Sequence, residues 1–182
     1  MTKLLGICGS LRDGSYNLML LKQAAERFGA DQFNIAEIRM ELYDGDVEER
    51  DGIPAAAQAL YDQIKASDAV IIATPEYNKS IPGGLKNALD WVSRIEGNPW
   101  ENKPVSIISA AAGRGGGDRS QYALRHALQP FAPLLLNGRE VLVGGAFNAF
   151  GDDGKLADDQ AVKMLDTHLG ALKDLITYSQ SA

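Results

Sequence analysis

The sequence predicts an α/β protein: a parallel sheet of five strands, with helices on both faces in a three-layer sandwich. Two observations carry that prediction. Short apolar runs, each closed by Gly, Pro or a polar cluster, alternate with stretches whose apolar residues recur at helical spacing, giving the order βαβαβαβαβα. No internal repeat or linker interrupts the alternation, so residues 1–182 are expected to form one domain. Strands joined through helices run parallel. Five of them suit the order 2-1-3-4-5, whose switch point lies between strands one and three.

The elements follow in chain order. Lys3–Cys8 is an apolar run ending at Gly9-Ser10 and reads as the first strand. Leu18, Leu21, Ala25 and Phe28 mark a helix from near Ser15 to Gly29, a residue suited to the position just past a helix end. Phe33–Ile38 alternates apolar and polar residues, as an edge strand does. Met40–Pro54 is polar and punctuated by Gly and Pro, and reads as a surface loop. Leu60, Tyr61 and Ile64 place a second helix over Ala55–Ala66, and Ala69–Ala73 is a buried third strand. A helix is expected over Pro82–Arg94, with proline in its first turn. Pro104–Ala110 is the fourth strand, followed by a glycine-rich turn and a helix to about Phe131. Leu134–Val143 is the fifth, with Asn137-Gly138 as a point of interruption. Phe147–Leu156 is a polar excursion, and Val162, Leu165, Leu169, Leu172 and Ile176 stripe a final helix.

Composition narrows the function classes. Hydrophobic residues make up 45 % of the 182, enough for one sizeable core and too many for a disordered chain. The net charge of −6, with acidic residues clustered from Glu41 to Asp51, offers no basic footprint for nucleic acid. No apolar run is long enough to span a bilayer, and Met1-Thr2-Lys3 leads straight into a strand without a signal pattern. A cytoplasmic location is therefore expected. The single cysteine, Cys8, allows no disulfide within the chain.

In a 2-1-3-4-5 sheet, strands one, three and four are neighbours. The loops that follow them, residues 9–17, 74–82 and 109–118, then emerge at one edge, where open α/β sheets place their ligands. The first loop, Gly9-Ser10-Leu11-Arg12-Asp13-Gly14-Ser15-Tyr16-Asn17, opens a helix. Free N–H groups, two serine hydroxyls and a fixed arginine charge there suit a terminal phosphate monoester. The plainer reading is that Ser15 caps the helix and Gly9 turns the chain. Three competing motifs fail. There is no Gly-Lys-Ser/Thr for a P-loop, and Gly6, Gly9 and Gly14 miss the G-x-G-x-x-G spacing. Position 14 is glycine where a small tyrosine phosphatase needs arginine, which makes Cys8 a buried strand residue. The third loop, Ser109 to Asp118, carries glycines that let backbone approach a flat ligand, or that simply make a flexible connection.

Catalytic side chains are scarce. His126 and His168 have no metal-ligand spacing and read as surface or packing residues, and the loop serines lack a G-x-S-x-G elbow. A well-built site without acid, base, nucleophile or metal is what a cofactor enzyme looks like.

The middle loop and its helix read Thr74-Pro75-Glu76-Tyr77-Asn78-Lys79-Ser80-Ile81-Pro82-Gly83, then Leu85-Lys86-Asn87-Ala88-Leu89-Asp90-Trp91. With the phosphate loop and Gly113, Gly116 and Gly117, this string resembles the NADPH-dependent FMN reductase family, in its branch of chromate, quinone and azo-dye reductases. The resemblance runs over essentially the whole chain; at the third loop, Ala110–Ala112 replace a segment often richer in hydroxyls. It implies a flavodoxin-like fold with non-covalent FMN. Ser10, Arg12, Ser15, Tyr16 and Asn17 would hold the phosphate end. Pro75, Glu76, Tyr77 and Asn78 would line the isoalloxazine ring, and Ser109 and Gly113 would close the other side. It also implies NADPH or NADH as co-substrate, with hydride passing to FMN and then to a quinone, chromate, ferric complex or azo dye in ping-pong turnover. Family members are usually homodimers or homotetramers. The helix carrying Leu85, Leu89 and Trp91 is a candidate contact surface, with packing on the sheet as the alternative. Arg119, Tyr122 and Arg125 would act near the acceptor, in assembly, or as a solvated helix face. The alternatives are a flavodoxin-like electron carrier, a flavin reductase that releases reduced FMN to a partner, and a non-enzymatic flavin or redox sensor.

Overall fold

The computed structural model of the chain describes residues 1–181. Its strands are β1 (Lys3–Cys8), β2 (Gln32–Ala36), β3 (Ala69–Ala73), β4 (Pro104–Ala110), β5 (Leu134–Leu135) and β6 (Val141–Val143). Its helices are α1 (Tyr16–Phe28), α2 (Gly45–Asp51), α3 (Ala55–Ala66), α4 (Gly83–Val92), α5 (Asp118–Leu128), α6 (Ala146–Ala149) and α7 (Asp159–Ser181). The strands are parallel in the order β2-β1-β3-β4-β5. The expected break in the fifth strand is present: β5 pairs with the start of β4 through Leu134 and Leu135, and β6 pairs with its end through Val141, Leu142 and Val143.

Both faces of the central strands are buried, so β1 and β3 are continuous apolar runs rather than alternating. Leu4, Cys8, Ala69, Ile71, Ala73, Ile108 and Ala110 point to one side, where α1 and α7 cover them. Leu5, Ile7, Val70, Ile72, Val105 and Ile107 point to the other, under α3, α4 and α5. β2 is the exposed edge.

Several boundaries differ from expectation: β2 ends at Ala36 rather than Ile38, α4 ends at Val92 rather than Arg94, and α6 forms at the start of the polar excursion. The stretch from Met40 to Pro54 is not all loop, because α2 forms inside it, capped by the Asp44 side chain on the Asp46 N–H at 2.9 Å. None of its residues is buried, so it left no hydrophobic period to read. At α4, Pro82 is the residue before the helix, with φ −61° and ψ 141°, so the helix itself begins at Gly83.

Candidate functional site

The register of the sheet sets the level of the site. Cys8 lies opposite Ala73, and Ala73 opposite Ile108, so β1 and β3 end together, while β4 runs two residues further, to Ala110, beside β6. The Gly9 N–H donates to the Ala73 carbonyl at 2.8 Å, and the Thr74 N–H to that of Ile108 at 3.0 Å. A Cβ on Gly9 would stand 3.3 Å from Pro75 Cδ and 3.2 Å from Leu85 Cδ2, so glycine here lets the first and second loops close on each other.

In the first loop, Ser15 is the N-cap of α1 and its hydroxyl accepts from the Leu18 N–H at 3.4 Å. That leaves the amides of Tyr16 and Asn17 in the opening turn without intrahelical partners, the arrangement that receives anions. Ser10 Oγ accepts from the Arg12 N–H at 3.3 Å. The Arg12 side chain is exposed and, among the described residues, has no ion-pair partner. The backbone beside it is held by Arg39, which donates to the Leu11 carbonyl at 2.6 Å.

Asn17 is buried and its amide is engaged at both ends. It donates to the Ala110 carbonyl at 2.8 Å and accepts from the Ala110 N–H at 2.9 Å, tying the first loop to the third. Tyr16 is half-buried against Phe150, stacked at 5.6 Å, and Phe147, edge-on at 5.8 Å.

The second loop is a small hairpin. Tyr77 and Ser80 exchange two backbone hydrogen bonds of 3.0 Å, and the turn residues Asn78 and Lys79 both have positive φ, 50° and 67°. This is the two-residue hairpin turn that normally carries Asn-Gly. Asparagine tolerates the left-handed region, whereas a lysine there costs about 1–2 kcal/mol. Pro75 is buried at the hairpin's base, Glu76 is half-buried, and Tyr77 is 46 % exposed. Glu76 pairs with Arg119 of α5 at 3.5 Å, linking the second loop to the helix after the third.

The third loop is shaped from behind. Ser109 is fully buried, donating to the Gly116 carbonyl at 2.6 Å and accepting from Gln121 Nε2 at 2.8 Å. Gly116 and Gly117 have φ of 62° and 94°, and a Cβ on Gly116 would meet the Leu142 backbone at 2.7 Å. Gly113 is exposed and open, with nothing within 4 Å of a Cβ placed there.

A fourth segment joins the site, and the sequence reading missed it. Residues 144–147 follow β6 along the third loop. The Gly145 N–H donates to the Gly113 carbonyl at 3.2 Å, and the Ala146 N–H to that of Ala111 at 3.0 Å. Phe147 is 70 % exposed beside Tyr16. Gly144-Gly145 directly after a strand was the available signal, in the form already noted for the third loop.

Several side chains are settled as structural. Cys8 is buried, and burial pushes its thiol pKa up against the lowering effect of hydrogen bonds from the Ser10 backbone and Ser15. Leu85, Leu89 and Trp91 are internal, with the Trp91 Nε1–H donating to the Glu41 carbonyl at 2.8 Å, so these three side chains offer no outer contact surface. Arg125 reaches the Leu136 carbonyl at 3.2 Å, at the break between β5 and β6, while Tyr122 is exposed. His168 is buried: Nδ1–H donates to the Arg139 carbonyl at 3.0 Å, which makes Nε2 the acceptor of the Ser106 hydroxyl at 2.8 Å.

The site is thus an anion-receiving helix start beside the open backbone at Gly113, at the switch point of a parallel sheet. A ligand with a flat ring system and a terminal phosphate suits it. The chain belongs to the NADPH-dependent FMN reductase family, whose sequence profile matches residues 2–148. It is 43 % identical over 173 residues to an NAD(P)H-dependent FMN reductase of Pseudomonas aeruginosa, covering 94 % of this chain and 93 % of that one. It is 39 % identical over 176 residues to a quinone reductase of Escherichia coli K12, covering 93 % of each. Among solved structures, the flavoenzyme NAD(P)H:(acceptor) oxidoreductase FerB of Paracoccus denitrificans superposes with a TM-score of 0.87 at 30 % identity, over 98 % of both chains. The fold is flavodoxin-like.

Proposed function

We propose that the chain, acting as one domain over residues 1–182, is an NAD(P)H-dependent oxidoreductase that holds FMN non-covalently and reduces quinones. Chromate, ferric complexes and azo dyes are further acceptors of the same kind. The observation that carries this reading is Arg12: a cation with no ion-pair partner among the described residues, next to the open amides of α1, in a family named for FMN. Those residues fit a phosphate, and the open backbone at Gly113 fits a ring.

In this reading Ser10, Arg12, Ser15 and the Tyr16 and Asn17 amides neutralise and orient the phosphate end. Pro75, Glu76, Tyr77 and Asn78 form one wall for the ring, and Gly113 the other. Asn17 and Ser109 act mainly by fixing the loops, since their side chains bond to neighbouring backbone. Bound FMN would supply the redox chemistry, taking hydride from the nicotinamide and giving its electrons to the acceptor. The protein's part is to hold donor and acceptor in turn at one open face, about 3–3.5 Å from the reacting atoms. One shared face implies ping-pong turnover. Backbone N–H groups of the third loop would stabilise negative charge developing on a bound ring.

Relatives described as FMN and quinone reductases support the donor and acceptor classes. No described helix is long and apolar enough to cross a membrane, in keeping with a cytoplasmic enzyme. We take the assembly to be a homodimer or homotetramer. Its contact would use the outer faces of α4 and α5, between which a cleft of 460 Å³ is lined by Ile81, Lys86, His126 and Phe131. The purified protein should be yellow, and anaerobic NADPH or NADH should bleach it. Bound flavin that neither nucleotide bleaches would sink the reading, and a colourless protein active only with added FMN would mark a reductase that releases its flavin.

A further inference from the structure

We propose that Lys79 is a donor-binding residue, whose ammonium holds a phosphate group of the nicotinamide dinucleotide beside the FMN site. The inference rests on the function proposed above and adds a residue to it.

The argument starts from the backbone. Lys79 occupies the second position of the hairpin turn with φ 67°, where glycine is the favoured residue. Glycine would close the same turn, because both of its hydrogen bonds run between Tyr77 and Ser80 and need nothing from the Lys79 side chain. The lysine is therefore kept in an unfavourable conformation without a structural return. Non-glycine residues held in sparsely populated backbone regions cluster at ligand clamps.

The charge points the same way. Lys79 is exposed and, among the described residues, its ammonium takes part in no hydrogen bond or ion pair. Other cations around the site have partners, Lys86 in Asp90 at 2.7 Å, Arg119 in Glu76 at 3.5 Å, and Arg39 in Glu37 and the Leu11 carbonyl, while Arg12 is assigned above to the FMN phosphate. A chain of net charge −6 repels an anionic dinucleotide at long range, so capture needs a local cation at the mouth of the site. Arg114 on the facing loop is also unpaired, but its backbone carries no left-handed strain. The hairpin holds Lys79 firmly, with Pro75 buried at its base and two hydrogen bonds closing its neck. Recognition from a rigid tip loses little entropy on binding.

The test uses the FMN-loaded protein and three variants, Lys79→Gln, Lys79→Arg and Lys79→Gly. Calorimetric titration with NADP⁺ and with NAD⁺ reads binding directly, and anaerobic single-turnover bleaching reads the half-saturating donor concentration. Lys79→Gln and Lys79→Gly should each weaken nucleotide binding about five- to tenfold. Lys79→Arg should stay within about twofold of the parent, and FMN affinity should not change in any variant. Lys79→Gly should also raise the thermal midpoint by about 1–3 °C, because relief of left-handed strain outweighs the extra chain entropy that glycine loses on folding. Loss confined to NADP⁺ assigns Lys79 to the 2′-phosphate, and equal loss with NAD⁺ assigns it to the pyrophosphate. Unchanged binding of both nucleotides in Lys79→Gln, with the parent still bleached, overturns the role of Lys79 and leaves the reductase standing. A parent that binds and is bleached by neither nucleotide overturns both.

Discussion

At the scale of single residues, the site is defined by which side chains are free and which are committed. Among the described residues Arg12 has no ion-pair partner, whereas the side chains of Asn17 and Ser109 are bound to neighbouring backbone. Sequence reading placed all three at the sheet edge where β1, β3 and β4 give way to their loops. It had no means of telling an outward hydroxyl from an inward one, because that depends on residues such as Gln121 twelve positions away. Arg12→Ala should weaken FMN binding about 10- to 100-fold, the loss of one charge-assisted hydrogen bond. Fluorescence-quenching titration measures it, and equal affinity in mutant and parent would remove Arg12 from the phosphate site.

At the scale of elements, legibility followed burial. The boundaries of α1, α3 and β4 were readable because their buried faces impose a period and Ser15 and Gly29 mark the ends of α1. Helix α2 was not, since it buries nothing and is held by its Asp44 cap and by Glu48, which pairs with Arg94 at 3.0 Å. The segment after β6 was missed although Gly144-Gly145 marked a turn there, because the backbone bonds that carry it to the third loop do not show in the sequence which segment it meets. The clamp from α1 to the end of β4 is the element contact with the most to lose. Asn17→Ala leaves the buried N–H and carbonyl of Ala110 without their partners, at about 1–3 kcal/mol for each group left unsatisfied. A lowered midpoint in urea together with weaker FMN binding is expected. A drop in neither would mean the clamp does not position the third loop.

At the scale of the whole molecule, α7 locks the broken fifth strand to the sheet through His168, which touches Ser106 of β4 and the Arg139 carbonyl between β5 and β6. Burial holds the imidazole pKa below its ordinary 6.5, although the Arg139 hydrogen bond opposes this. Below that value the unfolded chain takes up a proton that the folded protein resists. The stabilisation is complete above the ordinary pKa and is lost as pH falls through it. Denaturation curves between pH 7.5 and 5.5 should show the parent losing more stability than His168→Gln, which starts less stable. Parallel losses would contradict a buried, neutral histidine.

Every feature of the fold leads to one sheet edge, and the central claim is that FMN sits there in a stated orientation. A crystal structure of the FMN-loaded protein tests it most directly. The account predicts the phosphate at the start of α1, contacted by Ser10, Arg12, Ser15 and the Tyr16 and Asn17 amides, with the ring between Pro75–Asn78 and Gly113. Phosphate density away from α1, or flavin lodged in the cleft between α4 and α5, would contradict it.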